Sequence, residues 1–136
     1  MGSIIPAIEE NFRTAPGPKN RALAGLSRGG RWTMATLVKY PGYFAYLGVL
    51  AGAYDVTTEP DVYTVEMLDN PAINRGTKLL WITVGGPEDV AYARTYATLA
   101  LLDEHGVNYT FVQGTGGHVW DVWRRNLLEF APLIFR

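Results

Sequence analysis

The chain contains no cysteine, which excludes a disulfide framework, a thiolate nucleophile and cysteine-ligated zinc. It also lacks an excess of basic charge: 12 Lys and Arg face 13 Asp and Glu, for a formal net charge of −1. With no Lys/Arg cluster either, it carries no electrostatic footprint for a nucleic acid or an anionic membrane. No apolar run is long enough to span a bilayer, because Gly, Tyr or charge breaks the longest stretches. Met1-Gly2-Ser3-Ile4-Ile5-Pro6 lacks the basic and long apolar regions of a signal peptide, so a cytoplasmic protein is expected as the sequence stands. The two histidines, His105 and His118, are too isolated to build a metal site, and no metal or cofactor is expected.

What is present is a chain of 136 residues, 48% hydrophobic and rich in glycine. That length predicts one compact domain over residues 1–136. Ile5, Ile8 and Phe12 share one face of a short first helix, and Ala15-Pro16-Gly17-Pro18 ends it. Four apolar runs read as strands: Arg21–Leu26, Phe44–Leu50, Lys78–Val84 and Asn108–Val112. Between and after them, helices are expected over Arg31–Tyr40, near Asp61–Leu68, over Pro87–His105 with a glycine cap at Gly106, and over Val119–Phe130. Strands apolar on both faces and alternating with helices imply an α/β domain, a parallel sheet covered on both sides. Trp32, Trp81 and Trp123 are expected to pack its core.

Gly25-Leu26-Ser27-Arg28-Gly29 matches G-x-S-x-G and lies between a strand and a helix. In that setting a serine sits on a sharp turn with its hydroxyl above the sheet edge, at the positive end of a helix. A glycine-rich turn with a helix-capping serine fits the pentapeptide equally well. Two further residues sharpen the choice. Asp89 follows the strongest strand in Gly85-Gly86-Pro87-Glu88-Asp89, and His118 follows the last strand in Gly114-Thr115-Gly116-Gly117-His118. The carboxyl ends of parallel strands share one rim, so the three residues should converge there. Ser27 would be the nucleophile, His118 its base, Asp89 the group that orients and stabilises the imidazole, and the Arg28 backbone N–H an oxyanion donor. Asp55 is a fallback acid, Glu88 and Asp61 suit helix starts, His105 suits a helix C-terminus, and Trp120 stands close enough to His118 to line the site.

Two stretches resemble a known family. One is Ile4-Ile5-Pro6-Ala7-Ile8-Glu9-Glu10-Asn11-Phe12-Arg13-Thr14 with Asn20-Arg21-Ala22-Leu23-Ala24-Gly25-Leu26-Ser27-Arg28-Gly29-Gly30. The other runs from Gly116-Gly117-His118-Val119-Trp120-Asp121-Val122-Trp123-Arg124 through Asn126-Leu127 to Phe130-Ala131-Pro132-Leu133. Together they are similar to the esterase D-like and feruloyl or acetyl-xylan esterases of the α/β-hydrolase superfamily, relatives of the mycolyltransferases. The resemblance covers essentially the whole chain and puts the family's nucleophile, acid and base on Ser27, Asp89 and His118. It implies two departures. Arg28, Arg31 and Trp32 stand where the family has apolar or glutamine-like residues, so a more cationic, crowded pocket is expected. The family fold has about eight strands, and this chain matches only its C-terminal half, a truncated α/β-hydrolase without the loop that supplies a second oxyanion donor.

These observations point to a serine esterase acting on small carboxylic esters through an acyl-enzyme. An acyltransferase, or a non-catalytic remnant serving as an assembly or binding module, are the alternatives. The Arg21–Leu26 strand would lie at an open sheet edge with little charge to protect it. A homodimer or higher homo-oligomer is therefore expected, completing the sheet through that edge.

Overall fold

A computed structural model describes residues 4–56, 62 and 64–136. Four strands form one sheet in sequence order: β1 (Ala22–Leu26), β2 (Tyr46–Leu50), β3 (Leu79–Val84) and β4 (Thr110–Gln113). Every neighbouring pair is parallel, with Leu26 opposite Leu50 and Leu50 opposite Thr83, so the strand ends form one rim. Parallel neighbours need a crossover, and the helices supply it. α1 (Ile4–Asn11) precedes the sheet, α2 (Arg28–Lys39) joins β1 to β2, α3 (Ala72–Gly76) leads into β3, α4 (Tyr92–Glu104) joins β3 to β4, and α5 (Trp120–Phe130) follows β4.

Two apolar layers explain why the central strands are apolar throughout. On one face Leu47, Val49, Leu80 and Ile82 pack with Met34 and Leu37 of α2, Ile73 of α3, and Leu99 and Leu102 of α4. On the other, Leu50, Trp81 and Val84 pack with Trp123 and Phe130 of α5. Alternating side chains of β2 and β3 thus meet protein on both sides, and the α/β class with helices on both faces holds. Trp81 is 1% exposed with its ring 5.7 Å from Phe130; truncation of such a side chain costs about 3–5 kcal/mol.

Several boundaries differ from expectation, each for a local reason. α2 begins at Arg28 rather than Arg31, taking the glycine pair into its first turn. It does so because that turn lies against the chain after β2: a Cβ on Gly30 would stand 3.0 Å from the Gly52 Cα. α4 begins only at Tyr92, because residues 85–91 wrap around the Asp89 side chain. It ends as expected, with His105 as C-cap and Gly106 at φ +62°; the His105 Nδ1 lies 2.6 Å from an Asp69 carboxylate oxygen, a structural contact. The helix expected near Asp61–Leu68 falls partly outside the described residues, which include a 3₁₀ turn over Val65–Asp69. Trp81 and Trp123 are buried, but Trp32 is 52% exposed on the outer side of α2, correcting its assignment to the core. No helix among the described residues is long and apolar enough to cross a membrane.

Candidate active site

β1 ends at Leu26 and α2 begins at Arg28, so Ser27 alone makes the turn between them. Its φ of 52° and ψ of −118° lie where a side-chain-bearing residue is strained, typically by about 1–3 kcal/mol. The surroundings hold it there. The Ser27 N–H donates to the Leu50 carbonyl at 2.8 Å, extending the sheet, while its own carbonyl accepts from the Arg31 N–H at 3.2 Å, starting the helix. A Cβ on Gly25 would overlap the Gly29 carbonyl, so this turn closes only with glycine at that position. Arg28 is the first helical residue, and its N–H has no intrahelical partner.

Asp89 is held still more completely. It is 3% exposed; one carboxylate oxygen accepts from the Ala91 N–H at 2.8 Å, and the other from the Gly85 N–H at 3.2 Å. The loop bearing His118 is fastened to the Asp89 loop at two points. The Gly86 N–H donates to the Gly116 carbonyl at 2.7 Å, and the Gly116 N–H donates to Glu88 at 3.1 Å. Glu88 therefore ties two loops together rather than starting a helix. From α5 the Arg125 guanidinium also holds the His118 loop, donating to the Thr115 carbonyl at 2.8 Å. Gly116 takes φ +95°, and its carbonyl presses so closely on Gly85 that a Cβ there would overlap it.

Between these loops the side chains form one line. The His118 Nδ1 lies 2.8 Å from the same Asp89 oxygen that takes the Ala91 N–H, and the His118 Nε2 lies 2.8 Å from the Ser27 Oγ. A carboxylate on Nδ1 fixes the proton there, leaving Nε2 as acceptor for the Ser27 hydroxyl. Trp123 meets the imidazole edge-to-face at 4.8 Å between ring centres, and packs against it. The arrangement can draw a proton from Ser27 and hold the resulting positive ring against a buried negative charge. Among the described residues, no group of three His, Asp or Glu is placed to hold a metal ion.

A cavity of about 260 Å³ opens beside Ser27 and His118, walled by Ala51, Gly52, Ala53, Val90 and Ala91 and by Arg28, Arg31 and Arg94. Arg31 lines the same cavity as Ser27. Trp32 and Trp120 do not: each lines a separate apolar groove on either flank of β1. Trp120 is turned outward because another ring of the same helix, Trp123, already fills the place against His118. Asp55 lines an adjoining cavity with Arg94 and Leu101, and Asp89 is the acid on His118. Arg94, in the first turn of α4, lines the same cavity, a placement that sequence reasoning misses.

The family model described as "Putative esterase" matches residues 3–134. An endo-1,4-beta-xylanase/feruloyl esterase of Xylanibacter ruminicola is 29% identical over 139 aligned residues, all of this chain and 17% of that protein. Among solved structures, a ferulic acid esterase superposes with a TM-score of 0.84 at 20% identity, over 99% of this chain and 58% of its own. The fluorophosphonate-binding serine hydrolase F of Staphylococcus aureus superposes with a TM-score of 0.81 at 17% identity, over 98% of this chain and 61% of its own. The chain shares the fold of these two structures over 58% and 61% of their lengths.

Proposed function

The chain belongs to this esterase family, and from that premise we propose that it is a serine hydrolase cleaving small carboxylic esters through an acyl-enzyme. The Ser27 Oγ attacks the ester carbonyl carbon as its proton passes to the His118 Nε2. The tetrahedral oxyanion takes the Arg28 N–H. Collapse expels the alkoxide, which receives the proton from His118, and leaves Ser27 acylated. Water then attacks by the same route in reverse, releasing the acid and restoring the serine. Asp89 keeps the imidazole in the required tautomer and stabilises it while charged; it receives no proton.

The observation that carries this reading is the unbroken line Ser27–His118–Asp89, with both links at 2.8 Å, at a strained turn between a strand and a helix. A capping serine explains neither feature: the Ser27 side chain makes no cap hydrogen bond to the helix. A fluorophosphonate probe tests the reading directly. Labelling that maps to Ser27 by mass spectrometry, and is lost in Ser27→Ala and His118→Ala, supports it. A folded sample that takes no label overturns it and leaves the binding-module alternative.

A further inference from the structure

We propose that the cavity beside Ser27 selects esters that carry an anion, a carboxylate above all, close to the scissile bond. The inference rests on the serine-esterase reading and names the substrate class for it. Three of the chain's 12 basic residues, Arg28, Arg31 and Arg94, line a single space of about 260 Å³ that also exposes Ser27 and His118, and among the described residues no acid lines it. The chain as a whole is slightly acidic, so the concentration is local.

Two acids near the cavity are committed elsewhere: Asp89 is buried beneath His118 and Glu88 is bonded to the Gly116 N–H; Asp55 lines the adjoining cavity, whose wall shares Arg94 with this one. Arg31 is engaged within the fold. Among the described residues, neither Arg28 nor Arg94 forms an ion pair.

The placement of these cations also runs against the usual electrostatics of helices. Arg28 and Arg31 stand at the start of α2 and Arg94 at the start of α4, where the helix dipole is already positive, and neither helix has an acid in its first turn. Cations there repel the helix ends as well as one another. An anion seated between them relieves both repulsions, and guanidinium groups match a carboxylate by paired hydrogen bonds. The remaining walls, Ala51, Ala53, Val90 and Ala91, are small and apolar and suit a short carbon linker.

The test compares pairs of esters that differ by one carboxylate. 4-Nitrophenyl hemiglutarate against 4-nitrophenyl butyrate puts the anion on the acyl side; 3-acetoxybenzoate against phenyl acetate puts it on the alcohol side. For wild type, kcat/KM should favour the anion in at least one pair. That anionic-to-neutral ratio should fall about tenfold in Arg28→Gln and in Arg94→Gln, each of which removes one charge-assisted contact. Comparing one ratio between proteins cancels the esters' intrinsic reactivity. Ratios unchanged by both substitutions overturn the proposal while leaving the esterase reading intact. Should no ester be turned over, the esterase reading fails instead, and the anion site is read by calorimetry with glutarate. Binding weakened in both variants then supports an anion site; no binding to wild type overturns it.

Discussion

Leu26 and Ser27 are adjacent in the chain and belong to two surfaces built in opposite ways. Ser27 stands on the rim above the strand ends, where two backbone N–H groups hold Asp89, and Gly86, Glu88 and Arg125 hold the His118 loop. Leu26 belongs to the outer flank of β1, where apolar grooves lie on both sides of the strand and Trp32, Trp120 and Leu127 are exposed. The opposite sheet edge resembles neither, since β4 is short and presents the exposed polar residues Thr110 and Gln113. Fixed geometry at the rim requires satisfied hydrogen bonds, because an unpaired polar group in a crowded site costs about 1–3 kcal/mol. The flank has no such constraint. It has instead the problem of an unpaired strand, and little of the charge or proline that usually protects one.

If the rim is the reacting surface, its members should differ in rank. Ser27→Ala and His118→Ala remove the nucleophile and its base, and turnover of a small activated ester should drop by about a thousandfold or more in each. Both residues lie in turns outside the core, so circular dichroism and the thermal midpoint should stay close to wild type. Asp89→Asn should cost less, by roughly ten- to a hundredfold, than either, because the residue orients the imidazole without reacting. An Asp89→Asn variant more damaged than Ser27→Ala would reverse the proposed roles.

The rim's rigidity can be separated from its chemistry at Gly85. Alanine there would overlap the Gly116 carbonyl and stand 3.0 Å from the Asp89 carboxylate, so either loop must give. Overpacking of this kind costs typically 1–3 kcal/mol. Gly85→Ala should lower the denaturant midpoint measurably and reduce activity beyond what the stability loss explains, since the displaced loop bears His118. Full activity in a destabilised Gly85→Ala protein would mean that the two loops position nothing.

Much of the rim is legible in the sequence and much of the flank is not. Ser27, Asp89 and His118 can be read because each comes in the loop after a strand, and parallel strands deliver their succeeding loops to one edge. The start of α2 is read too late because Gly29-Gly30 looks like a helix breaker in isolation. It is helical here, with Gly30 packed so closely on Gly52 that a Cβ on either would crowd the other's backbone. Arg94 escapes notice since nothing in a run of helix-forming residues marks which face meets a cavity. Residue type alone assigns Trp32 to the core, yet it covers the flank of β1, where the groove that it lines includes Ile4, Leu23 and Phe44. Composition identifies which residues are apolar; it does not say which apolar faces the chain itself covers.

The smallest expected effect concerns that flank. We propose that a second copy of the chain covers it, two β1 strands pairing antiparallel about a two-fold axis and continuing the sheet. Among the described residues β1 is paired with β2 alone, and it runs as Ala22-Leu23-Ala24-Gly25-Leu26, with no charge of its own to oppose pairing with itself. Ala24 is exposed at its centre and borders both grooves. Its replacement by lysine puts like charges near one another across such a pair, while a single exposed edge residue changes the fold's own stability by only about 0.5 kcal/mol. Sedimentation at micromolar concentration should therefore show a dimer for wild type and a folded monomer for Ala24→Lys, with nearly the same thermal midpoint extrapolated to low concentration. A wild-type chain that remains a folded monomer throughout would show that the flank needs no second copy, and the contrast between rim and flank would then concern one molecule rather than two.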